Sequence, residues 1–506
     1  GTTDITAEDG SSNIEFHDEE NVFSGTVSMK SHWAKIKNSK ALELGTIDAK
    51  GLEVTARGAV TQSGVVSAPN STSTITAQNV AGDTKYDVTL GNTLNDLKTL
   101  VVVAADNVSL KDKNALILGA SSISGTFDLT TSGAVTQADA LEVASTTTIE
   151  AKSGDTYYAI TLDSVDGSSE YDNDFQGAVL LTGSNVEVDD LNDLDLGTST
   201  VTGTYVARSL TGDITDAGAL TVTGTSTFVT SANDATITLD QGGHAFTGAL
   251  LITTNDTSTD TAGDVTISAG SGAVLDFGNS TIDGDLIATS SNTTGITDSG
   301  AMTVRGTASF QTTAANADIS LGTSTLGDGT GTDTITLNTT GSTGNATLDN
   351  GTTAVALGTS ADSLVTSVGG NLTLTSGAAA GITDSATVTV GGNLVATTND
   401  NDGVINLGTL AVTGTITLTT EGSGAATIDN GTANIDIAAA SVGGNLTLTS
   451  GAATSGSNYA IMDSGTVTVG GNLIATTNAN NGVIDLGTLA VDGTIALTTH
   501  SGGAAT

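Results

Sequence analysis

Six versions of one phrase recur down the 506-residue chain, and that recurrence limits the fold to something built by stacking. The clearest copies begin Ile214-Thr-Asp, Ile296-Thr-Asp, Ile382-Thr-Asp and Ile461-Met-Asp, and each runs on through Thr-Val to a glycine. Diverged copies begin at Val60-Thr-Gln and Val135-Thr-Gln. From Gln62 the equivalent positions are Gln137, Asp216, Asp298, Asp384 and Asp463, giving steps of 75, 79, 82, 86 and 79 residues. A period that loose, with insertions absorbed between copies, belongs to stacked units and not to one globular core. The expectation is a single continuous stack over 1–506, with repeats 1–62, 63–137, 138–216, 217–298, 299–384, 385–463 and a partial 464–506. The chain starts and stops within a phrase, so it is expected to be a stretch of something longer.

Within each unit apolar and polar residues alternate, as in Leu220-Thr-Val-Thr and Ile416-Thr-Leu-Thr. A period of two marks strands, and no window offers the spacing of an amphipathic helix. Gly, Asn, Asp and Ser separate the strands and supply corner geometry. Only one proline, Pro69, interrupts the chain, as befits strands paired on both sides; its Ser-Ala-Pro-Asn-Ser context reads as a turn. A unit of about 80 residues divides into roughly four coils of about 20 residues, and some 25 such coils fill the chain. Coils of this length stack in parallel, so the expected fold class is all-β, a parallel β-helix solenoid. Inward positions take Val, Ile, Leu, Ala and Phe; outward positions take Thr, Ser, Asn and Asp.

The second coil of a unit carries Asn21-Val-Phe-Ser-Gly, Asn173-Asp-Phe-Gln-Gly or His244-Ala-Phe-Thr-Gly. The third ends in Leu194-Asp-Leu-Gly, Leu275-Asp-Phe-Gly or Val355-Ala-Leu-Gly, and the fourth in Ser367-Val-Gly-Gly-Asn-Leu or Ser441-Val-Gly-Gly-Asn-Leu. This succession of motifs resembles the repeats of filamentous haemagglutinin-like bacterial exoproteins, over essentially the whole chain. The resemblance implies a right-handed β-helical shaft exported by two-partner secretion and serving adhesion, cell aggregation or biofilm scaffolding.

Charge narrows the partners. The net charge is −42, all ten lysines lie at or before Lys152, and beyond it only Arg208 and Arg305 are cationic. A surface of that sign excludes nucleic acid as a partner. It suits a salty extracellular medium, where like charges are screened. Without cysteine there is no disulfide, thiolate nucleophile or thiolate metal site. No apolar run is long enough to insert this segment into a membrane as a helix.

Signs of chemistry are sparse. His17, His32, His244 and His500 occur in unrelated contexts and read as surface or turn residues. The densest acidic run, Glu187 to Asp195, offers Asp189, Asp190 and Asp193 with Arg208 as the nearest cation. Hard cations need clustered oxygens. The candidate ligands for weakly bound calcium are therefore Asp172, Asp174, Asp189, Asp190, Asp193, Asp400 and Asp402. The glycine-rich run Leu326 to Asp333 only echoes a calcium-binding nonapeptide. Trp33 and the lysines from Lys30 to Lys40 mark either a plain surface loop or a contact with a neighbouring element.

The leading expectation is a structural protein, not an enzyme: the shaft of a secreted or surface-attached adhesin that contacts extracellular polysaccharide or other cells. A subunit of a self-associating filament, sheath or surface layer is the alternative. A polysaccharide-degrading β-helix enzyme using Asp189, Asp190 or Asp193 comes third. No organic cofactor is expected.

Overall fold

The computed structural model describes residues 1–7, 11–163, 172–255, 262–322, 324–327, 333–359, 363–453 and 459–506. These form strands and turns with no helix. They fall into two compact units, Gly1–Gln241 and Gly242–Thr506. Each is a parallel β-solenoid, and the chain makes about 21 turns of about 22 residues. The turn is slightly longer than the spacing of motifs suggests, because corners and outward hairpins add residues that carry no repeat signature.

Three strands complete a turn. In the first unit Leu194–Leu196, Ser199–Val201 and Tyr205–Ser209 pair in parallel with Ile214–Asp216, Leu220–Val222 and Ser226–Asn233 respectively. Alternation puts one set of side chains inside, so Leu194, Ile214, Leu220, Val222 and Ile237 are fully buried. Aromatic residues fill the wider layers: Tyr205 meets Phe228 edge-on at 5.9 Å, and Phe277 meets Phe310 at 6.3 Å.

Successive copies of the phrase do not stack on one another. Val60 lies in the ladder Leu42–Val60–Val88–Val108, whereas Val135 lies in Leu116–Val135–Ile160–Val186. In the second unit Ile296 continues to Ile319 and Ala346, and Ile382 to Ile405 and Ala426. The ladders change because each repeat inserts a corner. One wide strand, Val179–Gly183, is paired by two short strands of the next coil: Val179 faces Leu196 and Thr182 faces Thr200. Leu250–Asn255 is divided in the same way between Leu275–Phe277 and Ser280–Ile282.

A corner inserted beneath a straight strand pulls carbonyls away from that strand's N–H groups, and a buried N–H without a partner is costly. The motif Gly-x-Ser resolves this. Ser199 is buried, its Oγ accepts the Leu181 N–H at 3.0 Å and its hydroxyl donates to the Gly197 carbonyl at 2.9 Å. Ser280 does the same for Ile252 (3.1 Å), and Ser121 for Val102 (3.0 Å). The glycine leaves room for the coil before, since a Cβ on Gly197 would lie 2.4 Å from Leu180 Cδ1 and that side chain would have to shift. Hence the Leu-x-Leu-Gly-x-Ser signature encodes a corner.

Pro69 corrects a sequence expectation. It lies within the strand Val66–Ala77, not in a turn. The neighbouring coil pairs with Ala68 and then with Thr72, so Pro69 occupies the bulge between them, where no ladder bond to that side is needed.

Removing one of the corner hydroxyls leaves an amide unsatisfied. Ser199→Ala and Ser280→Ala are each expected to destabilise their surroundings by about 1–3 kcal/mol. Native-state hydrogen exchange should report this as faster exchange across Val179–Gly183 and Leu250–Asn255, while the outward change Thr200→Ala leaves the rates within about 0.5 kcal/mol of wild type.

Candidate functional site

The densest acidic run folds as the strand Val186–Asp190, a turn, and the strand Leu194–Leu196. Alternation directs Asp189 outward and Asp190 inward, so two carboxylates adjacent in sequence face opposite sides of the wall. Asp190 is fully buried; its carboxylate accepts the Phe175 N–H at 2.9 Å and the Asn192 N–H at 3.0 Å. Burial pushes its carboxyl up to about 7, against the pull of those hydrogen bonds. Asp112, one repeat earlier, accepts the Leu97 N–H at 2.7 Å and the Asn114 N–H at 3.0 Å, and burial pushes it up to about 6. A buried amide stands beside each. Asn173 accepts the Leu141 N–H at 3.0 Å and is clasped by Gln137, while Asn95 accepts the Val66 N–H at 2.9 Å and is clasped by Gln62.

On the outer face Arg208 sits in register with Asp189. Its Nη1 lies 3.1 Å from Oδ1 and from Oδ2 of Asp189, and 2.5 Å from Glu187 Oε1. Burial raises the Asp189 carboxyl to about 6 and Arg208 opposes that rise. In the second unit Arg305 pairs with Asp283 at 3.1 Å. Both cations beyond Lys152 therefore neutralise an aspartate of the coil before.

The other proposed ligands are scattered. Asp193 accepts the Asp213 N–H at 2.9 Å, and Asp174 accepts from Gln176 at 3.0 Å and Asn192 at 3.2 Å. Asp172 is buried. Asp402, with φ of 74°, accepts the Ser423 N–H at 2.7 Å, and its carboxyl is held low by the Ser423 hydroxyl. Asp400 contributes its carbonyl to Gly403 at 3.2 Å. Among the described residues no three His, Asp or Glu side chains are placed to hold a metal ion. The glycine-rich run extends into 328–332, outside the described residues.

Sequence reasoning missed what the phrase itself does. Asp216 reaches the N–H groups of Asp240 and Gln241, Asp384 those of Gly408 and Thr409, and Asp463 those of Gly487 and Thr488. The repeated aspartate is thus a clasp from one coil to the corner of the next. The only signal for it was the fixed offset of about 24 residues to a Gly or a short polar turn. Of the two readings of the Trp33 region the contact with a neighbouring element holds and the surface loop does not, and the reading of one histidine is corrected. Trp33 belongs to the strand Trp33–Asn38 and lies over Gly51, and Lys35 and Lys37 pair with Glu53 and Glu19. His244 is buried, stacked 5.5 Å from Phe246, because it falls on an inward position of its strand.

A chain whose buried polar groups serve the backbone of neighbouring coils, and whose coils repeat, is a β-solenoid repeat protein. It belongs to the family described as "Repeats of unknown function (DUF5649)", whose model matches residues 32–104, 105–182, 183–253 and 262–326. These copies start 73, 78 and 79 residues apart, in step with the phrase. No curated protein and no solved structure matches the chain. No helix among the described residues is long and apolar enough to cross a membrane.

The buried carboxyls make a prediction with a definite sign. Asp112 and Asp190 hold protons in the folded state up to about pH 6 and 7, whereas the unfolded chain loses them near pH 4. Their contribution to stability is complete below pH 4 and is lost as pH rises towards 7. Hydrogen exchange around Phe175 and Leu97 should slow as pH falls from 8 to 5, after correction for intrinsic rates. Asp190→Asn is expected to remove the upper part of that dependence.

Proposed function

We propose that this structural repeat protein forms the shaft of a secreted or cell-surface bacterial adhesin, linking cells to one another or to a surrounding matrix. The observation that carries the reading is the use of polar chemistry. The clasping aspartates, corner serines and buried amides bind backbone of adjacent coils, as a load-bearing stack requires. The strongly acidic exterior keeps such a stack dispersed in a salty medium. The resemblance of its motifs to filamentous haemagglutinin-like exoproteins supports the same setting. Contacts with polysaccharide or other cells then fall to the outward grooves and loops.

Gold-labelled antibody on intact, unpermeabilised cells tests this by electron microscopy. Label is expected on material projecting from the envelope or joining cells. Label seen only after the cells are opened would remove the adhesin reading.

A further inference from the structure

We propose that a polar groove in the second unit binds an uncharged, linear polysaccharide lying across successive coils. This deepens the adhesin reading and rests on it for the presence of such a polymer.

The groove, of about 300 Å³, is lined by Asp318, Ser320, Asn345, Thr347, Asn371 and Thr373. Its volume is at the small end of ligand sites, as suits one subsite of a longer polymer. Two parallel rows build it. Ser320, Thr347 and Thr373 are register partners in three consecutive coils and point outward. Their hydroxyls repeat at the strand spacing of about 4.8 Å. Beside them runs a ladder in which each side-chain oxygen accepts the N–H of the next coil. Asp318 takes Asn345 at 2.7 Å, Asn345 takes Asn371 at 2.9 Å, Asn371 takes Asn393 at 2.8 Å and Asn393 takes Thr415 at 2.9 Å.

Beyond Asn345 that ladder engages only the oxygen of each amide. Asn345 Nδ2 also turns back to Asp318 at 3.2 Å, but the Nδ2 groups of Asn371 and Asn393 meet no protein acceptor among the described residues. Asn371 and Asn393 are exposed, so their amide hydrogens face solvent. The surface thus presents donors on one row and hydroxyls, able to donate and accept, on the other. A hydroxyl-rich chain matches both rows. A polyanion does not, because Arg305 is the sole cation of the unit and the net charge is −42. A protein partner would seek an apolar centre, which these rows lack.

The test uses the full chain in native gels containing dextran, mannan, xylan or soluble starch, with alginate as the charged polymer. Asn371→Asp with Asn393→Asp keeps the ladder oxygens but removes the outward donor in the groove, Asn371, and the one on the next coil beyond it, Asn393. Asp264, Asp285 and Asp318 already hold ladder positions, so the stack tolerates this change. Asn445→Asp with Asn472→Asp makes the same change in charge in a separate ladder that contributes no residue to the groove.

At least one neutral polymer should retard the wild type. The 371/393 variant is expected to weaken that binding about tenfold or more, with unchanged thermal unfolding, and the 445/472 variant to leave it intact. Retardation by none of the four neutral polymers, retardation by alginate alone, or equal binding by both variants would overturn the proposal. Surface label without retardation removes this inference alone. Retardation without surface label removes the adhesin reading alone.

Discussion

Each coil of this protein leans on the next through its backbone, and the obligation to pair every buried N–H and C=O governs the rest of the structure. Along straight faces the obligation is met by parallel ladders. At corners the coils separate, and the ladder alone leaves donors without acceptors. The Leu181 amide above Ser199 and the Phe175 amide above Asp190 are two such places. Side chains then supply the missing oxygen, and their identity follows from local geometry: a hydroxyl where one bond is needed, a carboxylate where two arrive.

This explains why so acidic a sequence spends so many of its carboxylates on its own backbone. Carboxylates accumulate because they accept hydrogen bonds from two amides at once, as Asp384 does from Gly408 and Thr409. They remain tolerable because most face solvent, and because Arg208 and Arg305 neutralise the partly buried Asp189 and Asp283. At Asp112 and Asp190, burial raises the carboxyls to about 6 and about 7, so that their charge is lost more readily than that of exposed aspartates. Perturbed carboxyls often flag an active site. Here the shift arises from the demands of stacking, and Asp189 and Asp190 face opposite sides of a wall.

Corner insertion also accounts for the loose period. A repeat of 75 to 86 residues is not a whole number of 22-residue turns, so each copy of the phrase starts in a new ladder. Insertions between copies change hairpins and corners at the surface, while inward positions such as Ile296 and Ile319 remain in register.

The sequence by itself determined the fold class, because alternation and repetition are local properties: Leu220-Thr-Val can be assigned to a strand with Thr221 outward without knowing its neighbours. It also determined the outward placement of most Thr, Asn and Asp, and the inward placement of Val, Leu and Ile. What it left undetermined were relations across coils. That Asp216 reaches Asp240, that Ser199 sits beneath Leu181, that Pro69 falls in a bulge and that Asn371 receives Asn393 all depend on register between segments about 18 to 30 residues apart. Such register is set by the corners, whose geometry emerges only when one coil is laid on another. The role of each polar side chain was therefore decided by tertiary structure, since it depends on which backbone amide the stack leaves unpaired.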